Sequence, residues 1–234
     1  MQIFFALQIA LWSTLDPSST AFQRSERWRL CSWHWNCAVQ SKWVPYDKIS
    51  NNLKRAVLVS EDDIFFQHKG VRIEDMQKAW QKNQQQNQQK TQSGNKAKTA
   101  LRGGSTITQQ LAKNLFLSSE QSYLRKGQEL IITGLLELIL SKQRLFEIYL
   151  NSVEWGEGIF GIGEASQRYY GITPAVLDRE QAAALASALP APKCFDKQQY
   201  CRKANIHFPT RQEFILENMD RVALGTYPKS NSNK

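Results

Sequence analysis

The sequence predicts a mainly α-helical domain, and three observations carry that prediction. Apolar residues recur at three- and four-residue spacing in several separate stretches, capping residues stand ahead of some of them, and strand-like alternation is scarce. With 234 residues and 41% hydrophobic content, the chain suits one sizeable core plus peripheral segments better than two independent domains. No internal repeat is evident.

The first segment, Met1–Trp12 (MQIFFALQIALW), is almost wholly apolar. As a helix it would reach only about 18 Å against a hydrocarbon core of about 30 Å. It also lacks the positive start and small-residue cleavage site of a signal peptide. Two readings stand side by side: a truncated or partly embedded anchor, and an amphipathic helix docked on the core. Leu15–Gln40 shows no sustained period and reads as a linker or a short packed lead-in. Trp28, Trp33, Trp35 and Trp43 suit either a headgroup interface or simple core packing. Residues 1–42 are therefore set apart as a membrane-associated or linker segment, 43–228 as the folded domain and 229–234 as a polar tail.

From Ser50, a candidate N-cap, the pattern is helical, with Leu53, Ala56 and Val57 on one face and an expected end near Ser60–Glu61. Ile73, Met76 and Trp80 suggest a second helix. The tract Lys82–Thr99 has almost no apolar side chain with which to offset its ordering entropy, so a mobile loop is expected. After Gly103–Gly104, Ile107, Leu111 and Leu115 return at helical spacing with Ser105 as the expected N-cap. One long helix is expected over Gln121–Tyr149, with Leu124, Ile131, Leu135, Leu138 and Ile139 facing inward and Gly134 at a close crossing. Asp178 and Gln181 form a capping-box pattern before an Ala/Leu run that stops at Pro190 and Pro192.

Lys and Arg number 30 against 21 Asp and Glu, a formal net charge of +9 that would attract lipid headgroups, pyrophosphates or nucleic acid. The basic residues are scattered, without zinc-finger spacing, an aromatic RNA-binding motif or basic-zipper heptads, which argues against nucleic acid. Cys31 with Cys37 and Cys194 with Cys201 are local pairs, open to disulfides or to a free-thiol state. Cys31, His34 and Cys37 lack the second ligand cluster of a standard metal site.

Three constellations could carry chemistry. Glu61 and Asp62 follow a helix end and are bounded by Phe65, His68 and Gly70. A carboxylate near a helix C-terminus and apolar rings favours its protonated form and suits a proton acceptor, although a solvated acidic turn reads the same way. In Gly103–Asn114, Gly103 and Gly104 allow the backbone to approach a ligand, the helix start after Ser105 offers unpaired N–H groups to an anion, and Thr106, Gln110 and Lys113 share a helical face able to meet sugar hydroxyls or phosphate. The alternative there is a capped amphipathic helix with an ordinary polar side. Arg125, Lys126 and Glu129 form the third group, a surface ion pair or a site that steers pyrophosphate or a metal ion.

Together these motifs resemble the peptidoglycan glycosyltransferase domain, glycosyltransferase family 51. The pattern ED..F..H.G is matched by Glu61, Asp62, Phe65, His68 and Gly70, and GGST.TQQ..KN by Gly103–Asn114. Arg125, Lys126 and Glu129 match RK..E. Lys142–Asn151 and Gly156–Tyr170 resemble the fourth and fifth motifs, and the order is the family's. Arg72 stands where the family commonly has Asp, and Gly163-Glu164 where it usually reads Glu-Ala. The resemblance covers about Trp43–Pro192 and points to the monofunctional branch.

The resemblance implies a lysozyme-like, two-lobed, mainly α domain that polymerises lipid II with release of undecaprenyl diphosphate. Glu61 matches the base, and Glu129 matches the group that assists the leaving pyrophosphate. Asp62, Phe65, His68, Gly104, Ser105, Thr106, Gln110, Lys113, Asn114, Arg125 and Lys126 fall on substrate-binding positions. Mg2+ or Mn2+ at the pyrophosphate is the expected cofactor, with no organic one. Implied partners are lipid II, the growing glycan chain, the membrane and other cell-wall synthesis proteins. The implied location is the cytoplasmic membrane, with the domain on its periplasmic side. A lysozyme-like muramidase or lytic transglycosylase, and a lipid II-binding scaffold without turnover, are the alternatives; the GGST.TQQ..KN segment argues against the first.

Overall fold

The computed structural model describes residues 2–34, 39–72, 105–117, 123–197, 201 and 207–225. The expected helix at Ile73–Trp80, the tract Lys82–Thr99, Gly103, Gly104, Cys37, Trp35 and the tail 229–234 lie outside them. The helices are α1 (Gln2–Leu11), α2 (Ala21–His34), α3 (Asn51–Glu61), α4 (Ile107–Phe116), α5 (Tyr123–Ile139), α6 (Lys142–Ser152), α7 (Ile162–Tyr170), α8 (Arg179–Ala188), α9 (Pro192–Asp196) and α10 (Phe208–Asn218). A small sheet has strand order β1-β3-β2, with β1 (Gln40–Ser41) parallel to β3 (Ile159–Phe160) and β2 (Glu154–Gly156) antiparallel to it.

Local chemistry sets most of these boundaries. The Ser50 side chain accepts from Leu53 N and starts α3, which buries Leu53, Ala56 and Val57 and ends at Glu61 as expected. Asp178 and Gln181 close the expected capping box on α8. On α4 the cap is Thr106, one residue beyond the expected Ser105, because Gln109 can reciprocate with the Thr106 backbone. Thr20 and Gln23 form an equivalent box: their reciprocal hydrogen bonds of 2.8 and 3.0 Å start α2 in a stretch expected to be a linker or a short packed lead-in.

The long helix expected over Gln121–Tyr149 is two helices. Ser141 leaves helical geometry and accepts from Arg144 N, so α6 begins afresh. The inward face of α5 agrees with the expected one only in part: Leu135 and Ile139 pack against the core, but the buried centre of the face lies elsewhere. Glu129, Ile132, Thr133 and Leu136 are buried, whereas Leu124 is 89% exposed, Ile131 52% and Leu138 82%. The helix is apolar on more than one side, so periodicity alone offered two faces, and the one that docks on the core also carries Glu129. Nothing approaches Gly134 closely.

The core brings α3 against α8, α8 against α10, and α4 against both α5 and α6. On α1, Phe5, Ile9 and Trp12 are buried, with the Phe5 and Trp12 rings 4.9 and 5.2 Å from that of Phe116. Ile3, Phe4, Leu7 and Leu11 face outward. Arg144 fixes this helix from α6, donating to the carbonyls of Trp12 (2.8 Å) and Leu15 (2.7 Å) and pairing with Asp16. Positive charge at these C-terminal carbonyls is favourable.

Asn151 joins α6 to the chain after β1. Its carboxamide accepts from Val44 N (2.8 Å) and donates to Val44 O (2.9 Å). Gly163 explains one departure from the family pattern: a Cβ there would lie 2.4 Å from the Lys42 carbonyl oxygen, so α7 meets this segment through a glycine. Farther out, Glu26 pairs with Arg29 and Lys193, Glu157 pairs with Arg29 and Lys197, and Lys193 also lies 3.6 Å from Glu154. Burial pushes the Glu154 carboxyl up to about 7 against the pull of Lys193. A disulfide joins Cys194 to Cys201, and Cys31 is also disulfide-bonded.

Asn151→Ala leaves the Val44 N–H and C=O without their partners in a buried place. Urea unfolding should show a loss of about 2–3 kcal/mol with an unchanged slope.

Candidate active site

Glu61 is the last residue of α3, and its side chain is mostly buried. Gln110 of α4 donates to Oε2 at 3.0 Å, and the Ser60 hydroxyl donates to Oε1 at 2.9 Å. The Gln110 amide is itself oriented, because its Oε1 accepts from the Tyr149 hydroxyl at 2.9 Å. Tyr149 lies on α6 and is fully buried, and burial together with the charges of Glu61 and Asp62 drives its hydroxyl well above the usual tyrosine range. It therefore stays a donor, which turns the Gln110 NH2 toward Glu61. From α10, Arg211 comes within 3.4 Å of Oε1. Burial nevertheless wins: the Glu61 carboxyl titrates above the ordinary glutamate value despite the hydrogen bonds of Gln110 and Ser60 and the charge of Arg211.

Asp62 has the opposite character. Its side chain has no exposed surface, and both oxygens lie 2.9–3.0 Å from His68 Nε2. Oδ2 also accepts from Ile107 N at 3.1 Å, at the start of α4. Gly70 N donates to His68 Nδ1 (3.1 Å), which assigns the His68 proton to Nε2, facing Asp62. Thr106 completes the joint by donating from its hydroxyl to Gly70 O at 2.6 Å. Gly70 adopts φ +81°, and a Cβ there would press on Thr133 and Glu137 at 2.8 Å. Arg72 lies 3.0 Å from Asp63 and 3.6 Å from Asp62, so at this departure a cation pairs with the acids of the first motif.

A second charged centre lies on α5. Glu129 is buried and ion-paired with Arg125 at 3.3 Å and with Lys126. Lys113, from α4, belongs to the same field. Desolvation by the surrounding protein lowers its ammonium from the usual lysine value, the Glu129 charge opposes this, and Arg125 and Lys126 reinforce it. Gln110 and Lys113 are one helical turn apart, so α4 carries one residue of each centre.

The expected substrate face is thereby divided. Gln110 joins Glu61 and Lys113 joins Glu129, while Thr106 is buried as a cap and holds Gly70. Asp62, Phe65 and Asn114 are buried, and the Phe65 ring packs on Phe146 with the Lys142 ammonium 4.3 Å from its centroid. Such side chains hold the walls of the site. Ser105 is half-buried, and its carbonyl lies 3.5 Å from the Gln110 amide. Gly104 is outside the described residues. Sequence reasoning missed Tyr149, Ser60 and Arg211 as members of the Glu61 centre. Tyr149 sits inside the fourth motif, where the pattern alone assigns it no role; Arg211 lies beyond every motif, and no sequence signal marks it.

Among the described residues, no group of three or more His, Cys, Asp or Glu side chains could hold a metal ion. Glu129 is a single carboxylate among Lys113, Arg125 and Lys126. This donor set fits an anion better than a protein-held cation.

The model of the transglycosylase family matches residues 32–220. The chain belongs to this family. Among its relatives, a biosynthetic peptidoglycan transglycosylase of Cupriavidus metallidurans is 55% identical over 225 residues, 96% of this chain and 92% of the relative. One from Ralstonia nicotianae is 49% identical over 229 residues, 97% of this chain and 92% of the relative. A Janthinobacterium counterpart is 46% identical over 224 residues, with 96% and 90% covered. The mainly helical transglycosylase domain, of lysozyme-like fold, thus reaches past the fifth motif and takes in α10 and Arg211.

Asp62→Ala removes the acceptor of two buried donors, His68 Nε2–H and Ile107 N–H. Chemical denaturation should register a loss of about 3–4 kcal/mol, several times that of an ordinary surface substitution.

Proposed function

We propose that this chain polymerises lipid II into peptidoglycan glycan strands and releases undecaprenyl diphosphate, with Glu61 as general base. The observation that carries this reading is the contrast between two buried glutamates. At Glu61, burial favours taking a proton and outweighs the Gln110 and Ser60 hydrogen bonds and the Arg211 cation 3.4 Å away, whereas Glu129 sits among three cations suited to a diphosphate.

The chemistry follows from that contrast. Glu61 accepts the proton of the acceptor sugar 4-hydroxyl as its oxygen attacks C1 of the growing chain. The C1–O bond to the lipid diphosphate breaks with inversion, and the bonding electrons leave with the diphosphate. Lys113, Arg125 and Lys126 stabilise that charge, while Glu129 holds Arg125 and Lys126 in register. Any Mg2+ or Mn2+ would draw most of its ligands from the diphosphate itself, because the described residues offer one carboxylate here, Glu129.

Membrane association is the second part of the proposal. Among the described residues, no helix is long and apolar enough to cross a bilayer. Yet α1 presents Ile3, Phe4, Leu7 and Leu11, and α5, packed against α1, presents Leu124, Ile131 and Leu138. An apolar face of this kind suits insertion at the headgroup boundary of the membrane that holds the lipid substrate. Because the proposed substrate is lipid-linked, the chain would act on the cytoplasmic membrane with the domain facing the periplasm; relatives named biosynthetic peptidoglycan transglycosylase support its place in wall synthesis.

Glu61→Gln should fold and bind lipid II yet polymerise it about two to four orders of magnitude more slowly. Because the Glu61 carboxyl titrates above the ordinary glutamate value, protonation removes the base as pH falls, so the wild-type rate should decline on the acid side at higher pH than an ordinary glutamate would give. A Glu61→Gln enzyme of near wild-type rate, or one with an unchanged acid limb, contradicts the assignment. Lys113→Ala should lower turnover more than Lys126→Ala, because Glu129 already engages the Lys126 charge. For the membrane face, Leu124→Asp with Leu138→Asp should keep the circular dichroism of the parent and reduce co-sedimentation with anionic vesicles at least about tenfold; undiminished binding would place the contact elsewhere.

A further inference from the structure

Arg211 stands 150 positions from Glu61 in the chain and outside all five motifs, yet it is the cation within ion-pair reach of that carboxylate among the described residues. One of its terminal nitrogens, NH2, donates to the Ser60 hydroxyl at 2.8 Å and to Ser60 O at 3.2 Å, and lies 3.4 Å from Glu61 Oε1. The Ser60 hydroxyl, held as an acceptor by Arg211, turns its own proton toward Glu61 Oε1 (2.9 Å) and Ala186 O (3.0 Å). A donated hydrogen bond polarises a hydroxyl and strengthens it as a donor. The guanidinium thus grips the turn that presents the base and acts on the carboxylate partly through Ser60.

The grip is stiff because α10 is anchored. Arg179 of α8 pairs with Asp220 at 2.8 Å and donates to Leu216 O, Gln212 donates to Glu180 O, and Ile215 is buried between the packed helices. The 3.4 Å approach to Oε1 is longer than a strong charge-assisted hydrogen bond of about 2.7–2.9 Å. Arg211 therefore orients the carboxylate without quenching it as a proton acceptor. Resting on the reading of Glu61 as base, we propose that Arg211 is a positioning residue for Glu61, fixing the carboxylate through the Ser60 hydroxyl and supplying the positive charge that faces it.

The groups that bear on Glu61 come from four sides. They are Arg211 from α10, the neutral Tyr149 phenol from α6 through Gln110 of α4, Asp62 next in the chain, and the uncharged Ala186 carbonyl of α8 through Ser60. Of the charged members, Arg211 favours the ionised carboxylate and Asp62 opposes it. Removing the Arg211 charge raises the pH needed to keep Glu61 ionised. The rate loss must then grow as pH falls.

The test is steady-state polymerisation of lipid II by the full chain across pH, comparing Arg211→Gln, Arg211→Lys, Ser60→Ala and Glu61→Gln, each with circular dichroism as a check of folding. Arg211→Gln should lose about tenfold in kcat at the acid end and about threefold or less at the alkaline end, with KM nearly unchanged. Arg211→Lys, which restores the charge, should recover the wild-type pH profile. If Arg211→Gln does not fold, Ser60→Ala carries the test, because losing the hydroxyl that Arg211 holds must also lower kcat more than KM is raised. An equal loss at every pH, a change confined to KM, or no rescue by lysine overturns the proposal while Glu61→Gln remains inactive. A Glu61→Gln enzyme of wild-type rate would instead overturn the base assignment on which it rests.

Discussion

The buried carboxylate of Asp62 binds the end of α3 to the beginning of α4, and the Glu61 centre depends on that joint. One of its oxygens takes the Ile107 N–H, one of the donors that a helix start leaves unpaired, and both oxygens lie within hydrogen-bond reach of the proton-bearing His68 nitrogen. Thr106 closes the same joint from the other side through Gly70 O. Glu61 and Gln110 are thus presented to each other by two helices whose adjoining ends are fastened together. Neither helix need rely on its own propensity to hold that geometry.

Two glutamates then take different characters from different surroundings. At Glu61, desolvation outweighs the hydrogen bonds of Gln110 and Ser60 and the charge of Arg211, so the carboxyl is biased toward taking a proton. Around Glu129, the cations Arg125, Lys126 and Lys113 gather in a partly desolvated place, where positive charge acts on an anion more strongly than it would in water. α4 carries Gln110 to one centre and Lys113 to the other, so one helical turn of the second motif links two differently charged centres.

Much of this was legible in the residues. Ser50, the α3 face and the Asp178 capping box follow from rules of local structure, and the motif residues fall into two groups, Gln110 with Glu61 and Lys113 and Arg125 with Glu129. What escaped has physical causes. The Thr20–Gln23 box was present but lay in a stretch without an apolar period. Periodicity could not choose the buried face of α5 because apolar residues lie on more than one side of that helix, and the inner face includes the charged Glu129. Arg144 as the clamp of α1, and Arg211 as the partner of Ser60, act across 132 and 151 positions of chain, a separation over which no local pattern reports. Burial was not legible either: Asp62, Thr106 and Phe65 read as binding residues in the motif, and the fold encloses all three in protein.

The central claim is a division of labour between Glu61 and the cations around Glu129. The most direct measurement is a crystal structure of the enzyme with a non-hydrolysable lipid II analogue in the donor site and an acceptor disaccharide beside it. The account predicts the acceptor 4-hydroxyl within hydrogen-bond distance of the Glu61 carboxylate and the diphosphate against Lys113 and Arg125. A diphosphate bound at Glu61, or an acceptor hydroxyl facing Glu129, would contradict it.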